Sequence, residues 1–135
     1  MKHLFLSVSA AIMLASCAAS NYSSKKAGNQ APLEGSSWVL AEQVSTEQPT
    51  LVVEAGKITG NTGCNNYFSS NVTIEPKGGV FGASNVGSTK KACINMSVET
   101  GFLNMLQQAN RYVVNGNSLE LYKDNLLLLK FDKKQ

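Results

Sequence analysis

The stretch "SVETGFLNMLQQANRYVVNGNSLELYKDNLLLLKF", residues 97–131, changes its hydrophobic period once, and that change sets the fold class. In its first part Val98, Phe102, Met105, Leu106 and Ala109 recur at helical spacing, opposite a polar face of Thr100, Asn104, Gln107 and Gln108. This predicts one amphipathic helix lying on a sheet. Ser97 is expected to cap its start, and Glu99 in the first turn suits the helix dipole. Gly101 weakens that first turn. Beyond Asn110 the period becomes that of strands. "RYVV", "SLELYK" and "LLLLKF" are joined by Asn115-Gly116-Asn117 and Asp124-Asn125, turn formers that tolerate positive φ. A three-stranded meander therefore follows the helix. Its last run is apolar on both faces, which predicts a central strand flanked by core and helix.

Upstream, short strand-like runs dominate. "SSWVLAEQV" alternates, with Trp38, Leu40 and Val44 on one face. "TLVVEAG" and "KITG" each end at a glycine. "NNYFSSNVTI" reads as one strand carrying Phe68, Val72 and Ile74 on one side, before the turn "PKGG". "VFGASNVG" follows. The expected architecture is α+β: a small antiparallel β-barrel-like sheet of about eight short strands, with one helix inserted before the last three and covering an open end.

The chain opens "MKHLFLSVSAAIMLASC". Lys2 precedes an apolar run too short to span a bilayer as a stable helix, so it reads as a secretory signal. "LASC", ending at Cys17, resembles the lipobox of bacterial lipoproteins, in which the cysteine is acylated (palmitate among the chains) and becomes the new amino terminus. The resulting division is 1–16 signal peptide, 17–32 acylated cysteine and flexible polar tether, and 33–135 a single small domain. Acyl chains at Cys17 imply anchorage in the cell envelope. With no acidic residue directly after Cys17, resemblance to enteric lipoproteins favours the outer membrane, facing the periplasm.

Removing 1–16 leaves eleven basic and nine acidic side chains, a balance that implies no nucleic-acid partner. It also removes His3, the only histidine. Without imidazole, a Ser-His-Asp or Cys-His site and a histidine-based zinc site cannot be built. Glu54, Glu75, Glu99 and Glu120 show no pairing signature. The sequence thus predicts no enzyme and no cofactor.

Two thiols remain, Cys64 in "NTGCNNYFSSN" and Cys93. An oxidising compartment and an even count favour a disulfide. The closed loop covers 30 residues, and a loop of that size is worth about 3–4 kcal/mol in the chain-entropy model. Free buried thiols, thiol redox work and copper(I) binding by two thiolates are the alternatives.

Four motifs in order resemble the META domain, the HslJ-like heat-inducible lipoprotein family. They are Trp38 with Leu40; Gly63, Cys64, Asn65 and Tyr67; Ser88, Thr89, Ala92 and Cys93; and Glu99, Phe102 and Leu106. The chain departs from that pattern at Ser69, Asn71 and Lys91. The resemblance covers about residues 33–131. It implies a barrel-like α+β fold with the two cysteines near one another, similar to the cracked barrel of secretion-system pilot lipoproteins. It also implies roles in envelope stress, novobiocin resistance, motility or secretion, and no catalytic residue set.

The expected function is therefore that of a non-catalytic, monomeric envelope lipoprotein that binds a protein, a peptide or an apolar ligand. Its candidate contact surface is Asn65, Asn66 and Tyr67, with Thr89 and Lys90 brought close by the disulfide. The structural alternative has Asn65 holding a turn, Tyr67 packing and Thr89 bonding a neighbouring strand. A pilot-like chaperone role overlaps with this expectation. A barrel filled by Phe102, Met105, Leu106 and Trp38 would point to a scaffold that works through its outer face.

Overall fold

The computed structural model describes residues 28–135; the signal segment, Cys17 and most of the tether lie outside the described residues. Among the described residues the chain forms ten strands and one helix. In chain order these are β1 (Ser36–Leu40), β2 (Thr50–Glu54), β3 (Lys57–Asn61), β4 (Asn66–Ser69), β5 (Asn71–Glu75), β6 (Val80–Ser84), β7 (Gly87–Ser88), α1 (Met96–Gln108), β8 (Arg111–Asn115), β9 (Ser118–Lys123) and β10 (Leu126–Lys133). All strands join one antiparallel sheet in the order β5-β6-β8-β9-β10-β1-β2-β3-β4-β7.

That order forces the sheet to curl. β5 is one edge and β4 lies next to the other, yet only Ser70 separates them in the chain. A single residue cannot bridge the width of an open sheet, so the two edges must stand side by side. The link from β6 to β7 makes the same crossing with Asn85 and Val86, and Asn85 takes a left-handed φ of 51° there. Ser69 Oγ clasps the seam by donating to Ser84 O at 2.6 Å. The result is a curled half-barrel with the helix before its last three strands, the expected class.

Two runs expected as single strands are each two strands, which raises the count from eight to ten. "NNYFSSNVTI" breaks at Ser70, and the break reverses which positions face inward. Tyr67 and Ser69 are buried and Phe68 is 60% exposed, whereas Val72 and Ile74 pack toward the core. Phe68 is therefore not on the inner face with Val72 and Ile74. "VFGASNVG" likewise divides into β6 and β7.

The interior is filled. Trp38, Tyr67, Phe81, Phe102, Leu106, Tyr112, Leu121 and Phe131 form one continuous core. Phe102 is the keystone of its aromatic part, 5.5 Å from the Tyr67 ring and 6.2 Å, edge to face, from Phe131. Helix α1 supplies Phe102, Leu106 and the adjacent Ala109 from its apolar stripe, with Val98 and Met105 half-buried beside them. It starts one residue before Ser97, at Met96. Ser97 does not cap it; its Oγ hydrogen-bonds Asn95 Oδ1 within the first turn.

β10 is central, between β9 and β1, but only one of its faces is covered. Leu126 and Leu127 are 65% and 45% exposed. A bulge between Leu127 and Leu129 turns Leu128 and Leu129 toward the core in succession, after which Phe131 faces inward. The apolar run thus encodes an irregular register rather than burial on both sides.

The folded body reaches back to Gln30. β6 and β8 pair in register only at Val80 and Arg111, and the amino-terminal segment fills the gap they leave. Gln30 N donates to Pro76 O at 2.9 Å, Val114 N to Gln30 Oε1 at 2.9 Å, and Tyr112 OH to Ala31 O at 3.0 Å. Leu33 follows, fully buried. The residues from Gln30 to Pro32, expected to belong to the tether, are docked on the domain.

Gly101 lies inside α1 with no atom within 4 Å of where a Cβ would stand. A methyl there restrains the unfolded chain without a clash. Gly101→Ala is expected to raise stability by about 0.5–1 kcal/mol, read as a higher urea midpoint and a melting temperature several degrees higher.

Candidate functional site

The five residues expected to form a contact surface divide sharply. Asn65 and Tyr67 are buried, at 0% and 1% exposure, while Asn66, Thr89 and Lys90 are exposed. Alternation explains the split. β4 presents Tyr67 inward, so Asn66 points out and the residue before it turns in beneath the sheet end.

Asn65 occupies the bend between β3 and β4. Thr62 N and Oγ1 both donate to Asn65 O, at 2.8 and 3.0 Å, and Thr62 Oγ1 accepts from Asn65 N at 3.0 Å. The side chain then reaches three other parts of the chain. Its Oδ1 accepts from Lys91 N at 2.8 Å and from Thr89 Oγ1 at 2.9 Å. Its Nδ2 lies 2.8 Å from Glu99 Oε2, 3.1 Å from Lys91 O and 3.3 Å from Cys64 Sγ. Both ends of one amide are thus satisfied by a strap without regular structure, residues 89–95, and by the first turn of α1. The exposed pair adds to the same seam: Asn66 N donates to Thr89 Oγ1 at 3.1 Å and Thr89 N to Asn66 O at 2.9 Å. Lys90 Nζ only meets Ser88 Oγ, at 3.2 Å.

Cys64 and Cys93 are joined in a disulfide, with Cα atoms 6.1 Å apart. It ties the strap to the same bend. Gly63, at φ +95°, permits a close approach: a Cβ there would stand 2.5 Å from Thr46 Oγ1 and 2.9 Å from Glu47 O of the β1–β2 loop. Tyr67 is fixed from within by donating its OH to Thr50 O at 2.7 Å. That reach depends on Gly60, where a Cβ would lie 2.1 Å from Thr50 O and 2.8 Å from the Tyr67 OH. Burial pushes the Tyr67 phenol far above its ordinary value of 10.0.

Glu99, placed in the sequence by its dipole position, is instead 5% exposed and part of this polar cluster. The sequence carried the signal, since Glu99, Phe102 and Leu106 share one helical face. Thr62 was not singled out, and its burial has no periodic signature. Among the described residues no three of His, Cys, Asp and Glu come together as a metal site would need.

Hollows among the described residues lie on the helix side of the domain and beside the strap. The most apolar, about 240 Å³, lies where α1 meets the ends of β1 and β10, between Leu40, Val44, Val98, Phe102, Met105 and Leu129. A second, of about 620 Å³, is bounded by the β1–β2 loop, Cys93 and the fully exposed Ile94. The third, of about 520 Å³, is polar and runs along α1 past Glu99, Lys90 and Gln107.

A family model described as META domain matches residues 31–135. The chain belongs to the META domain family. Its fold is similar to that of an NMR structure of a protein from Burkholderia xenovorans, with a TM-score of 0.63 at 24% identity over 76% of this chain and 84% of that one. A second NMR structure is similar at a TM-score of 0.57 and 18% identity, over 74% of this chain and 90% of that one. No curated protein matches. Among the described residues of this META domain no helix is long and apolar enough to cross a membrane.

Two outcomes follow from the cluster. Asn65→Ala strands Glu99 Oε2, Thr89 Oγ1 and the Lys91 backbone, and is expected to cost about 2–4 kcal/mol in urea unfolding, whereas Asn66→Ala should stay within about 0.5 kcal/mol. Tyr67 gives a pH signature. Its folded form holds the phenolic proton more tightly than the unfolded chain, so its contribution is complete below pH 10 and declines as pH rises above it. Between pH 8 and pH 11 the wild type should therefore lose more stability than Tyr67→Phe; equal losses would exclude Tyr67 as the source.

Proposed function

We propose that this META domain is the rigid, non-catalytic head of a lipid-anchored envelope protein that works by contact through its outer face. The observation that carries this reading is the burial of Asn65. The Asn65 side chain is consumed in holding the strap and helix to the sheet. The Asn65 amide is neither a nucleophile nor a base, and while the disulfide is closed neither sulfur is a thiolate that could hold a soft metal.

The packed interior supports the same reading. Trp38, Phe102 and Leu106 pack together inside the half-barrel, which favours contacts made on the outside. The apolar hollow beside α1 is the outer feature best suited to a protein or peptide side chain. Anchorage at Cys17 would hold the domain, as a monomer, near the outer membrane. Binding or assembly support there fits a part in envelope stress or novobiocin tolerance, and a pilot-like role for an outer-membrane component is the same contact function with a larger partner.

The test is genetic and biochemical together. Cells lacking the protein should tolerate less novobiocin, and the wild-type chain should restore tolerance. Cys17→Ser should lose palmitate incorporation, leave the membrane fraction and fail to restore. Met105→Glu, at the half-buried rim of the apolar hollow, should reach normal levels in the membrane and also fail. Full restoration by both variants would exclude the anchored contact role.

A further inference from the structure

The bridge between Cys64 and Cys93 is asymmetric. Cys64 is 8% exposed, beneath Asn65 and the strap. Cys93 is only partly buried and forms part of the wall of the hollow bounded by Ser45, Thr46, Glu47, Gly63, Ile94 and Asn95; Cys64 does not. A disulfide is opened by a thiolate that approaches one sulfur along the S–S axis while the other departs, so access decides which sulfur is attacked. Here the open side leads to Cys93.

The departing side is equally specific. Cys64 Sγ lies 3.3 Å from Asn65 Nδ2, whose two hydrogens it shares with Glu99 Oε2 at 2.8 Å and Lys91 O at 3.1 Å. Once protonated, the Cys64 thiol has Lys91 O as an acceptor at 3.7 Å.

We propose that the Cys64–Cys93 disulfide is a thiol-exchange site, opened only at Cys93, whose partner is a dithiol oxidoreductase carrying a Cys-x-x-Cys pair. The partner's thiolate attacks Cys93 Sγ, a mixed disulfide forms there, and Cys64 leaves as a thiolate that takes up one proton. The partner's second thiol, as thiolate, then attacks its own mixed-disulfide sulfur, and Cys93 leaves and is protonated. Two electrons and two protons pass to this protein, and the partner ends as a disulfide. The reverse sequence installs the bridge. This goes beyond the contact role and does not depend on it.

The test uses the intact, folded protein and a thioredoxin-type protein whose second active-site cysteine is replaced by serine, so that the mixed disulfide is trapped. After alkylation of free thiols, peptide mapping should find the partner on Cys93 and the alkyl group on Cys64. The preference should be about tenfold or more, at a rate unchanged by urea below the unfolding transition. Trapping on Cys64, an even split, or an adduct that forms only where urea unfolds the domain would overturn the proposal. The tolerance and fractionation assays of the contact role do not involve this exchange, so either proposal can fail alone.

Discussion

The side-chain amide of Asn65 is the constraint on which the rest of the corner depends. It joins three pieces of chain far apart in sequence: the bend after β3, the strap at Thr89 and Lys91, and α1 at Glu99. A buried amide with one partner missing costs about 1–3 kcal/mol. Each piece is therefore tolerable only when the others are in place. This is why Glu99 can lie buried in the first turn of a helix without a cation beside it in sequence: the amide N–H meets its carboxylate, and the positive end of the helix adds to it.

The other half of the fold answers a different problem, the closing of a twisted sheet that has two edges. Ser70 alone carries the chain from β4 to β5, so the edges meet by covalent necessity, and Ser69 Oγ holds the seam. Where β6 and β8 diverge, Gln30 replaces a missing strand with its own backbone and side-chain bonds, and Leu33 fills the space beneath. Both devices keep polar backbone satisfied where pairing stops, and both leave the interior sealed. The apolar hollow at the junction of α1 with the ends of β1 and β10 lies on the outside of that packed body.

The helix and the final meander were legible because their hydrophobic periods differ and because Asn115-Gly116-Asn117 and Asp124-Asn125 announce turns; Gly116 and Asp124 indeed adopt positive φ. The crossing at Ser70 was not legible. No glycine or proline marks it, and the two serines fit a continuous strand as well as a corner. Grouping Phe68 on one side with Val72 and Ile74 followed from that missing break. Within "GCNNY" the neighbouring asparagines are chemically identical, and only strand parity, counted back from Tyr67, separates the buried Asn65 from the exposed Asn66. The family resemblance lay in spacings the fold preserves, and the structural reading of Asn65 in a turn, Tyr67 packed and Thr89 bonded to a neighbouring strand agrees with the observed contacts.

The corner also contains more constraint than its disulfide. Asn65 and Asn66 hold the strap by five hydrogen bonds, three through the Asn65 side chain and two through the Asn66 backbone. At about 0.5–1.5 kcal/mol each, their sum is of the same order as the roughly 3–4 kcal/mol attributable to closing the loop covalently. The two contributions act on different states. Hydrogen bonds stabilise the folded corner, whereas the bridge mainly restricts the unfolded chain. A corner secured in both ways can lose its covalent link and keep its shape. The bonds from Asn65 to Thr89, Lys91 and Glu99 do not pass through the sulfurs, so the placement of α1 has a support besides the bridge.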